Sequence, residues 1–310
     1  MSFYKVARVF ADMVDDGIHG LNPSQLRYDE PMSHHTTFAV GGPADVFIMP
    51  EGLEQLVAVI AACNEHGLPF FVLGNGSNLL VMDKGIRGLV ISLGRLNNAQ
   101  VSGDNITAQS GVTLRELSLL AYRRGLSGLE FAHGIPGSVG GGVIMNAGAY
   151  EGDISQVLSN ATLVSRLGEV YQADLADMRF GYRHSAPLDS GDIIYSATFA
   201  LKPAEKADIF NKIEDLHGRR VDKQPLEHPS AGSTFKRPKG YFAGKLIMDA
   251  GLRGCSIGRA AVSDKHCGFV VNKGGATAAD ILRLIEHVQN EVYKAFEVEL
   301  VPEVRIIGER

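Results

Sequence analysis

Two glycine-rich segments of the 310-residue sequence are places where a ligand could approach the backbone closely. The first is Gly74-Asn75-Gly76-Ser77-Asn78, and the second runs from Gly134 to Gly142. Because glycine has no Cβ, loops of this kind let backbone N–H groups reach phosphate oxygens. Either segment alone could equally be a tight turn between strands. Together they favour a ligand, and a dinucleotide pyrophosphate is the natural candidate.

Neither segment has the spacing of a common nucleotide-binding motif. Leu79 occupies the third glycine position of G-x-G-x-x-G, and no Gly-Lys-Ser/Thr follows either segment. The sequence therefore disfavours a Rossmann site and a P-loop nucleotidase. Asn146 and Tyr150 add polar side chains just after the second segment.

A basic segment between His217 and Lys239 could receive an anionic substrate. Two acidic residues, Asp222 and Glu227, accompany its six cations, which are Arg219, Arg220, Lys223, Lys236, Arg237 and Lys239. Such a run is also typical of a solvated face, so both interpretations stay open.

Composition excludes several classes of protein. Hydrophobic residues make up 45% of the chain and charged residues 21%, which is typical of a folded globular protein. The net charge of −5 disfavours a nucleic-acid or anionic-membrane surface. No apolar run approaches the roughly 18 residues of a spanning helix, so we expect a cytoplasmic protein without a membrane partner.

Three widely spaced cysteines, Cys63, Cys255 and Cys267, predict ordinary thiols. They provide neither a disulfide framework nor a paired Cys-x-x-Cys zinc signature. We therefore predict no metal site.

Periodicity indicates the elements that position these segments. Apolar residues at helical spacing predict a helix from Glu51 to Gly67, followed by a buried strand from Pro69 to Leu73 that leads into the first glycine-rich segment. Further strands are predicted for Leu79–Met82 and Gly88–Leu93.

Three more helices and four more strands follow from the same patterns. Capping boxes begin helices at Thr113 and Thr277. The predicted helices are Thr113–Gly125, Ala204–Arg220 and Ala276–Phe296. The predicted strands are Ala161–Ser165, Glu169–Ala173, Ile193–Leu201 and Glu299–Ile307.

Six blocks, in order, resemble the UDP-N-acetylenolpyruvoylglucosamine reductase family, in its shorter form. They are HTTFAVGGPADV (35–46), GNGSNLLV (74–81), GIPGSVGG with MNAGAY (134–141 and 145–150), FGYRHS (180–185), PSAGSTFKRP (229–238) and PEVRIIG (302–308). Glu151 departs from the glycine common in the family.

The resemblance implies an α+β protein: a two-lobed FAD-binding fold of the vanillyl-alcohol-oxidase (PCMH) type, followed by a smaller α/β substrate-binding domain. The expected divisions are an N-terminal segment (1–40), the FAD-binding domain (41–205) and the substrate-binding domain (206–310). The residues it assigns to noncovalent FAD are Gly74, Asn75, Gly76, Ser77, Asn78, Gly134, Gly137, Ser138, Gly140, Gly141, Asn146 and Ala149.

The implied reaction reduces UDP-N-acetylglucosamine enolpyruvate to UDP-N-acetylmuramate for peptidoglycan synthesis, with NADPH as hydride donor. A carbanion conjugated with a carboxylate needs a nearby cation and a proton donor. Arg183 matches the family's cation, Ser233 its proton donor, and Glu303 the carboxyl group that assists when protonated. The substrate-binding candidates are Tyr182, Lys223, Lys236 and Arg237, although Tyr182 could equally be a packing residue.

Other functions remain open on the residues alone. The glycine-rich segments also suit a flavin-dependent sugar or alcohol oxidase, or a nucleotide-binding module without catalysis. Without the resemblance, Arg183 would be a surface or structural pair, Ser233 a turn residue beside Gly232, and Glu303 an exposed strand residue.

Overall fold

The structure, a computed structural model, describes residues 3–310; Met1 and Ser2, within the predicted segment 1–40, lie outside the described residues. The α-helices of the described chain are α1 (Phe3–Asp15), α2 (Leu53–His66), α3 (Leu114–Arg124), α4 (Val139–Ile144), α5 (Ala186–Ser190), α6 (Lys206–Lys223), α7 (Ala243–Asp249) and α8 (Ala278–Phe296). Among residues 3–310, none of these helices has the length and apolar character that crossing a bilayer requires.

The strands are mostly short. In chain order they are β1 (Leu26–Pro31), β2 (Pro43–Ile48), β3 (Phe70–Leu73), β4 (Leu79–Val81), β5 (Ile86–Ser92), β6 (Ala99–Ser102), β7 (Asn105–Gln109), β8 (Leu126–Ser127), β9 (Gly148–Ala149), β10 (Gly152–Asp153), β11 (Leu158–Val164), β12 (Val170–Asp174), β13 (Ile193–Ala200), β14 (Lys202–Pro203), β15 (Ser256–Ile257), β16 (Ala260–Val262), β17 (Val270–Asn272) and β18 (Arg305–Ile307).

The chain forms two compact units, and both are discontinuous in sequence. Unit 1 contains the residues up to Tyr28, Val46–Asn75 and Gly88–Arg220; unit 2 contains Asp29–Asp45, Gly76–Arg87 and Val221–Arg310. The predicted domains 41–205 and 206–310 are continuous in sequence, so their boundaries differ from those of the two discontinuous compact units. As functional divisions, those domains remain a prediction.

Two hydrophobic cores lie among the described residues of unit 1. One lies under the antiparallel sheet β12-β11-β13-β7-β6, on which α4 packs, and it includes the buried side chains of Ile106, Val143 and Phe199. The other includes Phe10 of α1, Ile60 of α2 and Ile91 of β5. In the sheet of order β1-β2-β5-β3, strands β3 and β5 are parallel.

Unit 2 is built around α8. This helix packs on the antiparallel sheet β15-β16-β17, and its apolar side chains Ile281, Leu284, Ile285 and Val288 are fully or almost fully buried. Strand β18 pairs in parallel with β4, which brings the end of the chain beside the residues that follow the first glycine-rich segment.

The strongly periodic predictions are confirmed. Helices α2, α3, α6 and α8 lie within a few residues of their predicted bounds. Thr113 and Thr277 each form the predicted capping box, with Glu116 and Asp280. Hydrogen bonds from Thr113 and Thr277 lower the pKa of Glu116 and Asp280, respectively.

Two predictions are wrong in part. The segment Gly134–Gly142 was predicted as a loop, but its second half begins helix α4, because the burial of Val139 and Val143 outweighs the low helix propensity of glycine. The strand predicted for Glu299–Ile307 is restricted to Arg305–Ile307. Pro302, which has no N–H group, makes only an isolated bridge to Phe235.

Candidate active site

Unit 1 brings the start of the first glycine-rich segment against the second. The side-chain amide of Asn75 donates a hydrogen bond of 2.6 Å to the carbonyl oxygen of Pro136. A Cβ on Gly74 would lie 2.8 Å from Ser138 Oγ, so a larger residue there would collide with the second segment. Residues predicted from two separate blocks are therefore neighbours.

The second segment has buried and exposed glycines with different surroundings. A Cβ on buried Gly140 would lie 2.9 Å from Ser110 Cβ, whereas the nearest atom to a Cβ on exposed Gly141 would be Ser138 Oγ, at 3.8 Å. Packing thus explains Gly140, but it does not explain Gly141. The carbonyl oxygen of Gly137 accepts the backbone N–H of Leu114, which connects this segment to α3.

Ser138 presents an unsatisfied polar group beside these glycines. Its residue is 3% exposed, and within the described chain its buried Oγ has no hydrogen-bond partner. Buried hydroxyls almost always have a partner, and one without a protein partner is suited to a ligand oxygen. The backbone and this hydroxyl together fit a phosphate group of a dinucleotide such as FAD.

Hydrogen bonds attach the turn Phe180–Ser185 to the residues that follow the second segment. The side-chain amide of Asn146 donates to the carbonyl oxygen of Gly181 at 3.1 Å, and Ser185 Oγ donates to the carbonyl oxygen of Ile144 at 2.7 Å. Asn146 is 7% exposed and adopts a left-handed backbone with φ of 42°. Its side chain is thus largely a structural connector in unit 1.

Arg183 is held in the same turn. Its guanidinium donates to the carbonyl oxygen of Gly148 at 3.1 Å and lies 5.4 Å from the ring centroid of Tyr182, which is 61% exposed. The φ of Arg183 is 54°, a left-handed conformation that is uncommon outside glycine. Ala149, predicted to contact FAD, follows Gly148 in β9.

In unit 2 the segment His35–Thr37 packs against the first glycine-rich segment. Gly76 has a φ of 59°, and a Cβ there would overlap the carbonyl oxygen of His35. The backbone N–H of Thr37 donates to the carbonyl oxygen of Gly76 at 3.2 Å. Thr37 Oγ1 is buried and has no hydrogen-bond partner among residues 3–310. Thr37 was not among the site residues predicted from sequence, although it lies in the first of the blocks that resemble the family.

Thr234 connects the two remaining catalytic candidates. Its carbonyl oxygen accepts the backbone N–H of Glu303 at 2.8 Å, so the residue after Ser233 is bonded to Glu303. Ser233 is exposed and Glu303 half-buried, while Thr234 is fully buried. Unit 2 therefore brings Ser233 and Glu303 close together in the fold, although they are far apart in sequence.

Asn78, the last residue of the first glycine-rich segment, is hydrogen-bonded to Glu303 and Arg305. Its side-chain amide donates to the carbonyl oxygen of Glu303 at 3.2 Å, and its own carbonyl oxygen accepts the backbone N–H of Arg305 at 3.0 Å. Ser77, beside it, is half-buried. Asn78, Glu303 and Ser233 thus form one cluster within unit 2.

The cationic candidates of unit 2 are only partly brought together. The backbone N–H of Lys236 donates to the carbonyl oxygen of Val301 at 2.8 Å, and the Arg237 guanidinium lies 4.0 Å from the ring centroid of Phe242. Both residues are exposed. Lys223 is exposed at the end of α6, and no hydrogen bond or ion pair among residues 3–310 joins it to this pair.

The basic segment also contributes to unit 1, where its residues differ in role. Arg219 forms an ion pair of 2.7 Å with Asp215 on the same helix, as expected for a solvated face. Arg220 packs beside the second segment, where a Cβ on Gly134 would lie 2.9 Å from its Cδ. Burial lowers the pKa of Arg220.

The cysteines show no special chemistry. All three are free, and burial raises the pKa of Cys63 to about 12 and also raises that of Cys267. No group of three or more His, Cys, Asp or Glu side chains in residues 3–310 is arranged to hold a metal ion.

Comparisons with known proteins identify the family to which this chain is similar. The family model described as "FAD binding domain" matches residues 44–174, and the one described as "UDP-N-acetylenolpyruvoylglucosamine reductase, C-terminal domain" matches 224–307. The chain is 52% identical over 289 residues to the UDP-N-acetylenolpyruvoylglucosamine reductase of Clostridium kluyveri (strain NBRC 12016), covering 93% of this chain and 95% of that one.

Two further similarities extend over nearly the whole chain. The enzyme of the same name from Clostridium perfringens (strain SM101 / Type A) is 50% identical over 308 residues, covering 99% of this chain and 98% of the relative. The crystal structure of the Thermus caldophilus reductase superposes with a TM-score of 0.79 at 35% identity, covering 91% of this chain and 98% of that one. The predicted α+β fold class with an FAD-binding domain is confirmed.

Proposed function

The chain belongs to the UDP-N-acetylenolpyruvoylglucosamine reductase family, and we propose that it reduces UDP-N-acetylglucosamine enolpyruvate to UDP-N-acetylmuramate, using NADPH and noncovalent FAD. The product is a precursor of peptidoglycan. The observation that best supports this proposal is the backbone bond between Glu303 and Thr234, the residue after Ser233, because it joins two of the blocks that resemble the family.

Residues of both glycine-rich segments would hold FAD. The residues proposed for it include Gly74, Gly76 and Gly141, together with the buried hydroxyls of Ser138 and Thr37, which have no hydrogen-bond partner among residues 3–310. Buried hydroxyls such as these two are suited to donate to phosphate or flavin oxygens. When bound there, FAD would supply the hydride-transfer chemistry that links NADPH oxidation to reduction of the enolpyruvyl group.

The remaining chemistry belongs to side chains of this chain. Ser233 donates its hydroxyl proton to the adjacent carbon of the substrate, where negative charge accumulates. Arg183 and the carboxyl group of Glu303 stabilise the charge that spreads into the substrate carboxylate, and each such interaction is typically worth about 3 to 4 kcal/mol of barrier. A serine is acceptable as an acid because this carbon is a strong base.

Lys223, Lys236 and Arg237 would bind the diphosphate of the UDP-sugar, and Tyr182 would contact the same substrate. Their exposure supports this role, because an anionic substrate must displace only water to reach them. The partners of the protein are therefore small molecules. A cytoplasmic location is proposed, as NADPH and nucleotide sugars are its substrates.

Product analysis tests the proposal. Incubation with NADPH and UDP-N-acetylglucosamine enolpyruvate is expected to give a product heavier by two hydrogens, in a one-to-one ratio with the NADPH consumed. A flavin oxidase would instead consume oxygen with a simple sugar as electron donor. A protein that cannot be loaded with FAD would contradict both enzymatic functions.

A further inference from the structure

The turn between β16 and β17 in unit 2 is closed by its own hydrogen bonds. Ser263 Oγ accepts the backbone N–H groups of Lys265 and His266, both at 3.2 Å. The backbone N–H of Phe269 donates to the carbonyl oxygen of His266 at 3.0 Å, and that of Ser263 donates to the carbonyl oxygen of Phe269 at 2.9 Å. The turn is thus a fixed structure rather than a loose connection.

His266 lies inside this turn as a hydrogen-bond acceptor. Its Nδ1 accepts the backbone N–H of Gly268 at 3.1 Å, so the imidazole is neutral and carries its proton on Nε2. The ring packs edge-on against Phe269, with ring centroids 5.0 Å apart. Cβ atoms on Gly244 and Gly268 would lie 3.3 Å and 2.9 Å from its Cε1, so glycines make room for the ring.

Gly268 connects the His266 turn to Thr234, the residue after Ser233. Its carbonyl oxygen accepts the backbone N–H of Thr234 at 2.9 Å, and the backbone N–H of Val270 donates to Thr234 Oγ1, also at 2.9 Å. The N–H of Thr234 belongs to the peptide group that Ser233 shares with it. The orientation of Ser233 therefore depends on the turn that His266 holds.

We propose that His266 is a positioning residue for proton donation by Ser233, and that protonation of its imidazole releases the turn and slows that step. The inference rests on the proposed role of Ser233. A protonated Nδ1 would place two N–H donors opposite each other, in place of a donor and an acceptor, so the bond to Gly268 would be lost.

The surroundings favour the neutral imidazole near pH 7. Burial lowers the pKa of His266, and the hydrogen bond to its own backbone only partly opposes this effect.

Charged groups near the turn are engaged elsewhere. On the turn itself, Lys265 Nζ donates to the carbonyl oxygen of Val221 at 2.6 Å, and the carboxylate of Asp264 pairs with Lys273 at 3.4 Å. The guanidinium of Arg253 donates to the carbonyl oxygen of Asp264. On α7, Lys245 pairs with Asp249 at 2.8 Å. Cys267, the next residue in the turn, has a pKa that burial raises.

Two variants of His266 separate positioning from simple packing. The variant His266→Asn keeps an acceptor oxygen close to the place of Nδ1 but has no titratable group there, whereas His266→Leu removes the acceptor. His66→Asn is the matched control, since His66 is exposed at the end of α2 in unit 1. The FAD-loaded full chain is reduced with NADPH and mixed anaerobically with UDP-N-acetylglucosamine enolpyruvate, between about pH 5 and about pH 8.

The wild type and His66→Asn should reoxidise more slowly toward acid pH. His266→Asn should reoxidise within about threefold of wild type at pH 7 and lose that acid decline, while His266→Leu should be slowed about tenfold or more at every pH, because a small misplacement of a catalytic group is costly. Reduction by NADPH should stay unchanged in all variants.

An unchanged acid decline in His266→Asn would overturn the inference, and so would normal reoxidation of His266→Leu. If His266→Leu does not fold, the pH profile of His266→Asn decides alone. Failure of the wild type to reoxidise with this substrate would instead contradict the proposed function.

Discussion

The backbone N–H of Glu303 donates a hydrogen bond of 2.8 Å to the carbonyl oxygen of Thr234. This bond joins two segments that are almost seventy residues apart in sequence. It places Ser233 and Glu303 in one cluster through the backbone, independently of the conformations of their side chains. The fully buried Thr234 is therefore the structural centre of the candidate catalytic residues in unit 2.

Replacing Thr234 by valine should lower the free energy of unfolding by about 1 to 3 kcal/mol. The substitution keeps the shape of the side chain but leaves the buried N–H of Val270 without its acceptor, Thr234 Oγ1. Thr234→Ser keeps the hydroxyl and is the matched control. Denaturant unfolding of both variants checks this prediction, and equal stabilities would show that the hydroxyl is not needed.

Gly141→Ala should weaken FAD binding without destabilising the protein. An alanine Cβ at this exposed position meets only Ser138 Oγ, at 3.8 Å, but it would obstruct a phosphate that approaches the backbone. We expect about a tenfold rise in the Kd of FAD, or more, from loss of that approach.

The control for this test is Gly140→Ala. Its Cβ would lie 2.9 Å from Ser110 Cβ, so overpacking should lower the melting temperature of the FAD-free protein. FAD titration by fluorescence and thermal melts distinguish the two effects. Wild-type FAD affinity in Gly141→Ala would argue that the cofactor lies elsewhere.

Thr37→Val should weaken FAD binding while leaving the FAD-free protein at least as stable as wild type. The buried hydroxyl of Thr37 has no hydrogen-bond partner among residues 3–310, so its removal should cost a hydrogen bond only when the cofactor is bound. The neighbouring Thr36→Val is the control, because Thr36 Oγ1 donates to the carbonyl oxygen of Val40 at 2.8 Å and its loss should destabilise the protein. Equal FAD affinity in wild type and Thr37→Val would remove Thr37 from the site.

The free energy of unfolding should fall as the pH decreases below about 6.5, the ordinary pKa of histidine. Burial lowers the pKa of His266 and of His133 in the folded protein, so the unfolded chain binds protons more readily in this range. The loss begins near the unfolded pKa and is complete below the lowered one.

His266→Asn should show a smaller loss of stability than wild type between about pH 7 and about pH 5. Chemical denaturation of the variant and the wild type at the two pH values measures this loss of stability. Carboxylates with lowered pKa, such as Asp280, lose their contribution only at more acidic pH, so this range isolates the histidines. Identical losses in both proteins would mean that His266 is not held neutral by folding.

Local sequence patterns were sufficient for the long helices. Helices α2 and α8 have apolar residues at helical spacing and, for α8, a capping box at Thr277, so neighbouring residues alone determine where they form. Helix α4 could not be predicted in this way, since three of its six residues are glycines, which have low helix propensity, and its stability comes from burial against β13.

The arrangement of the site was less accessible from sequence. The pairing of β4 with β18 and the bond from Asn78 to Glu303 join residues more than two hundred positions apart, and no local pattern encodes such contacts. The motif residues Ser233 and Glu303 came from family resemblance. Thr234 and His266, which hold them through the backbone, have no chemical signature in the sequence and became visible only from their hydrogen bonds.

The central claim is that Ser233 donates the proton that completes the reduction. Its most direct test follows the flavin absorbance of Ser233→Ala and wild type anaerobically, first with NADPH and then with UDP-N-acetylglucosamine enolpyruvate. The account predicts wild-type bleaching by NADPH and reoxidation slowed by about a hundredfold or more in the variant, the usual scale for a lost acid. Reoxidation at the wild-type rate would contradict it and assign the proton to another group.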